Sequence, residues 1–160
     1  MVLLSRIRSE QGRYDESLDL ASKALGFRRQ CLGNRLKVCD SLYQVASIHE
    51  RGNNVVLAMY DPISPPHLDI ITNWCPFSQH LEECIKISEA LPQNEGKRHL
   101  ARASYKLSGI MKTLGKEQES TKHFDRAMAL KDDICKLDGG SSYGNTDFEK
   151  LVPWMLWWDR

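Results

Sequence analysis

His80 and Cys84 stand four residues apart, so on a helix both would face one way, as two metal ligands do. Two ligands alone do not close a zinc site. The plainer reading is a polar residue near a helix start followed by a half-buried thiol. Cys31 and Cys39 straddle Gly33-Asn34, a helix break by composition, and are expected to pack as small apolar groups. Glu82-Glu83 near a helix start and Asp132-Asp133 near a helix end read as solvated surface, the first pair also suiting the helix dipole. No GxxxxGK[ST] phosphate loop, GxGxxG, GxSxG or HExxH occurs in the chain. The residues therefore point away from an enzyme, and no catalytic residue, cofactor or metal is expected.

Composition narrows the remaining classes. The chain has 160 residues, 41% of them hydrophobic, enough for a core. Its 22 Lys and Arg against 21 Asp and Glu leave a formal charge of +1, so no field is available to hold nucleic acid or an anionic membrane, and neither is expected as a partner. The longest apolar runs, Val55 to Tyr60 and Leu151 to Trp158, are far too short to span a bilayer. The start, Met1-Val-Leu-Leu-Ser-Arg-Ile-Arg, has neither half of a secretory signal. Five cysteines, odd in number and without a CxxC pair, suit reduced thiols. A cytoplasmic location follows as the expectation.

What must position any functional residue is a set of helical hairpins. After the glycine turn at Gly12, Tyr14, Ser17, Leu18, Ala21, Ala24 and Leu25 follow an i, i+3, i+4, i+7 pattern with small residues on its face, which predicts the second helix of a tightly packed hairpin. Gly115, Ser120, Phe124, Ala127 and Met128 repeat Gly12, Ser17, Ala21, Ala24 and Leu25, each pair 103 residues apart. A third copy sits at Leu81 to Leu91. First helices are available before Gly115 (Ser104, Leu107, Ser108, Met111) and before Gly52 (Leu42, Val45, Ala46, His49). Units of this kind bury their apolar faces only by stacking on neighbours.

The pattern of Ser108 and Ala46, Gly12, Gly52 and Gly115, Tyr14, and Ala24, Ala90 and Ala127 resembles the tetratricopeptide repeat (TPR), in the longer form of kinesin light chain and MalT-like regulators. The resemblance covers about residues 1–138 and implies an all-α, TPR-like α-solenoid of about three antiparallel hairpins. It also implies that His49 takes a packing position. No repeat carries the large aromatic of the family early in its first helix. An irregular insertion is expected at 55–78, where four of the six prolines fall and no helical period runs through Pro62, Pro65 and Pro66. Removing its 24 residues brings the Gly52 to Gly115 separation of 63 to 63 − 24 = 39, near the 40 that separates Gly12 from Gly52. Codons for Val55, Thr72-Asn73 and Phe77-Ser78 can spell an intron donor, branch point and acceptor, so the segment reads either as a surface loop or as translated intron.

Residues 139–160 form the linker and aromatic tail. Gly139-Gly140-Ser141-Ser142 ends the last helix, and the clustered Trp154, Trp157 and Trp158 are expected to cap the exposed end of the array. This ending is similar to those of the repeat regions of fungal multidomain proteins with an NTPase upstream. Met1 falls where a first helix should already be under way, so the chain reads either as the C-terminal portion of a longer array or as a truncated gene model.

By position, the resemblance implies a concave groove lined by Asp40, Tyr43, Gln44 and Ser47 in the second repeat and by Arg102, Tyr105, Lys106 and Gly109 in the third. Tyr43 and Tyr105 would be two stacked aromatics one repeat apart, with Arg102 and Lys106 adding positive charge suited to an acidic peptide. Val2 and Arg6 stand where a chaperone-tail clamp needs Lys and Asn, so that ligand is not expected. The implied function is a protein-protein interaction module binding a peptide or partner protein, with self-association as a further option. Its rival is a regulatory fragment of a larger NTPase-type signalling protein.

Overall fold

The computed structural model describes residues 1–59, 75–92, 94–139 and 148–152, and the described residues are helical throughout, joined by turns. The order is α1 (Val2–Glu10), α2 (Tyr14–Leu32), α3 (Leu36–Met59), α4 (Cys75–Ala90), α5 (Lys97–Thr113), α6 (Glu117–Leu137) and a 3₁₀ turn at Phe148–Leu151. Contacts divide the chain into two units, Met1–Glu83 and Cys84–Arg160. In the first, α2 packs against both α1 and α3; in the second, α5 packs on α6 and carries the 3₁₀ turn.

One hairpin is built twice. Gly12 closes α1 with φ +74, its N–H donating to Ser9 O and the Arg13 N–H to Arg8 O, a Schellman turn whose left-handed residue favours glycine. Gly115 closes α5 with φ +73, its N–H donating to Lys112 O and the Lys116 N–H to Met111 O. The following helix opens from Arg13 (φ −87, ψ 67) in one unit and from Lys116 (φ −90, ψ 67) in the other. Every equivalent pair is 103 residues apart, the offset of the sequence pattern.

Small residues let the paired helices approach closely. Ser5 and Ser17 are fully buried, and each hydroxyl donates to the other's carbonyl, at 2.9 Å from Ser5 and 2.7 Å from Ser17. In the second hairpin Ser120 Oγ donates to Ser108 O at 2.8 Å, while Ser108 Oγ turns back to Tyr105 O at 2.7 Å. These contacts hold buried hydroxyls in hydrogen bonds, which burial otherwise penalises. Around them pack Ala21, Ala24, Leu25, Leu42, Val45 and Ala46 in the first unit and Leu100, Ala103, Leu107, Ile110, Ala127 and Ile134 in the second.

Three sequence expectations change. Gly52 ends no helix: α3 runs through it, because Asn53 to Met59 offers no proline or left-handed stop to break the chain. Helices also take both ends of the expected 55–78 insertion, up to Met59 and from Cys75, and residues 60–74 lie outside the described ones. Because α4 starts at Cys75, Glu82 and Glu83 fall mid-helix, where Glu83 pairs with Arg29 of α2.

Candidate functional site

The eight groove positions divide evenly between the two units, each set at i, i+3, i+4, i+7 along a first helix. On α3, Asp40 and Tyr43 are buried, at 3% exposure each. Gln44 is half-buried and reaches back to α1, donating from Nε2 to Val2 O and Ser5 Oγ, both at 3.2 Å. Ser47 Oγ donates to Tyr43 O at 2.9 Å within its own helix. This row chiefly joins helices, and Gln44 and Ser47 are its solvent-reaching members.

On α5, Arg102 is 1% exposed, so it is not the surface cation that the resemblance implies. Tyr105 is stacked on Phe148, with ring centroids 4.1 Å apart and planes 11° from parallel, and touches Phe124 at 6.2 Å. Phe148 therefore covers one face of the Tyr105 ring, which was expected to line the groove. Lys131 of α6, itself buried, lies over the Phe148 ring at 5.5 Å from its centroid. Arg98 ties the segment down, donating to Leu151 O at 3.2 Å and to Asp138 at 2.6 Å. Phe148, Leu151 and Val152 are all buried; Trp154, Trp157 and Trp158, on which the expected cap rests, lie outside the described residues. Lys106 and Gly109 keep access to solvent.

The part taken by Lys131 is not apparent from its residue type, because a lysine on a helix is ordinarily a solvated group. Its signal is the register: Lys131 is the equivalent of Arg28, which α2 turns inward to donate to Lys37 O at 3.0 Å and Ser41 Oγ at 2.7 Å.

His49, half-buried on α3, has its ring centroid 6.2 Å from that of His80 on α4. Burial, and then the like charge of His80, hold its pKa below 6.5. Arg51 bonds Glu10 across α3 and α1 and, through that bond and its charge, keeps the Glu10 carboxyl below 4.5. Cys39 and Cys84 are buried thiols, but Cys31, in the last turn of α2, is exposed rather than packed. Among the described residues no group of three or more His, Cys, Asp or Glu side chains is placed to hold a metal ion. Nor is any described helix long and apolar enough to cross a membrane. No protein-family model matches the chain. No curated protein is significantly similar to it.

Proposed function

We propose that the chain is a non-enzymatic, TPR-like helical-repeat module that binds a protein or peptide partner. The supporting observation is the hairpin built twice with one turn geometry and one inter-helix serine contact at an offset of 103. Repetition of a rigid hairpin generates extended binding surface rather than an enclosed reaction site. Among the expected groove positions, Gln44 and Ser47 on α3 reach solvent in the first unit, and Lys106 and Gly109 on α5 in the second. Lys106 supplies the positive charge for an acidic side chain once Arg102 is buried.

The test is site-specific photocrosslinking in cells. A benzophenone amino acid at position 106 or 109 is expected to trap a discrete partner, while the same group at the outward-facing, exposed Lys122 of α6 does not. The purified partner should then bind a Lys106→Glu chain about three- to tenfold more weakly. Equal crosslinking at all three positions would refute the groove reading.

A further inference from the structure

Both hairpins present the same receiving face, and the two faces hold different occupants. In the first hairpin the occupant is α3: Arg28 of α2 donates to Lys37 O and Ser41 Oγ, and Gln44 of α3 donates to Val2 O and Ser5 Oγ of α1. The counterparts of Arg28 and Val2, 103 residues on, are Lys131 and Tyr105. Both meet the Phe148 ring, so a four-residue 3₁₀ turn takes the place that a 24-residue helix takes in the first hairpin.

The turn is held as a peptide ligand is held. Phe148 stacks on Tyr105 and packs with Ala101, Ala127 and Ile134, and Leu151, three residues on, joins the same cluster. Three residues make one turn of 3₁₀ helix, so the two anchors share a face, while Glu149 between them is exposed. Arg98 donates to the main-chain carbonyl of Leu151, a contact that any residue there can accept, and its other arm is fixed by Asp138. The receiving face is also larger than its occupant. Ala21 of α2 is 2% exposed, whereas its counterpart Phe124 is 44% exposed, with its ring 6.2 Å from that of Tyr105. Phe148 sits at Tyr105 and Leu151 at Arg98, two helical turns nearer the start of α5, so a longer ligand in this pose would extend from its aromatic toward Phe124. In this chain the four residues before Phe148 are Gly144-Asn145-Thr146-Asp147, none of them apolar.

We propose that this face of α5 and α6 is a docking site for a short segment of another protein with the pattern Leu-x-x-Phe-x-x-Leu, and that Phe148 to Leu151 is a partial copy of it held in cis. The leucine before the aromatic gains a contact with Phe124 that the chain's own segment lacks, which lets the partner displace it. This gives the module proposed above a partner chemistry and rests on that reading. Lys106 and Gly109 take no part, so crosslinking there and binding here can fail separately.

The probe is a fluorescent peptide of residues 145–152 carrying Asn145→Leu, titrated with the full-length chain and its variants. Phe148→Ala, which vacates the site, is expected to bind it saturably and to gain Tm as peptide is added. The parent should bind about 10- to 100-fold more weakly, because its own segment competes at high local concentration. Within the Phe148→Ala chain, Tyr105→Ala should weaken binding about tenfold or more, and Arg98→Ala and Phe124→Ala about threefold each. Lys122→Glu, at an exposed position on α6, should change nothing. Leu151→Ala serves as a second vacated chain where Phe148→Ala loses the helical circular-dichroism signal. Absence of saturable binding up to ~1 mM by both vacated chains, or by the parent, overturns the proposal, since the turn is then a fixed cap. So does equal binding after Tyr105→Ala. So does a parent that sediments as a dimer and is dispersed by Phe148→Ala, because the turn of a second copy would then be the occupant.

Discussion

At Gly115 and at Gly26 the same substitution should act in opposite directions. Gly115 holds φ +73 in the turn between α5 and α6, and a Cβ there would touch nothing within 4 Å, so alanine meets only the left-handed backbone penalty. Gly115→Ala should cost about 1–2 kcal/mol. Gly26 sits inside α2, also with open space around a Cβ, and Gly26→Ala should add about 0.5–1 kcal/mol by helix propensity. Urea melts of the two chains check both signs. His49 sets a pH dependence at the same scale. Its folded pKa lies below 6.5, so the unfolded chain takes the proton more readily and the stability contribution is complete only above the unfolded value. Acidification from about pH 7.5 to 5 should lower Tm, and His49→Leu should flatten that part of the slope. An unchanged slope in His49→Leu would show that other groups carry it.

Helices and their caps were the most legible elements, since α-periodicity and a glycine with the right neighbours are local properties. The turns at Gly12 and Gly115 follow from helix stops that sequence displays, and so does the break at Gly33, where φ is +59. Gly52 carries the same letter without the same context, and the helix ignores it. Burial of individual groove residues was not legible, because it depends on what lies across the helix. Tyr105 reads as a surface aromatic until Phe148 stacks on it, and Arg102 and Lys131 read as solvated cations until the surrounding packing closes over them. The 3₁₀ turn is therefore the element whose removal should matter most to the second hairpin. Phe148→Ala empties a fully buried site shared with Ala101, Ala127 and Ile134 and is expected to cost about 3 kcal/mol. A thermal melt within about one degree of the parent would mean that the turn is a passive covering.

Across the whole chain, contacts gather into two units, each with its own copy of the hairpin and its own core. Stability in such a chain is expected to be a sum of terms for each repeat and for nearest neighbours, so damage to one hairpin should stay where it is made. Ser17→Leu forces a large side chain into a fully buried contact where the Ser5 and Ser17 hydroxyls are 3.3 Å apart, at a cost of about 1–3 kcal/mol in the first unit. Phe148→Ala acts in the second. The two substitutions lie in different units, and the double variant should lose the sum of the single losses to within about 0.5 kcal/mol. Amide exchange gives the sharper reading, since it reports opening segment by segment. Phe148→Ala should speed exchange in α5 and α6 and leave the slowest amides of α1 and α2 unchanged, with Ser17→Leu doing the reverse. If either substitution instead accelerates all slow amides equally, the chain opens as one cooperative body, and the duplicated hairpins are parts of a single fold rather than separable repeats.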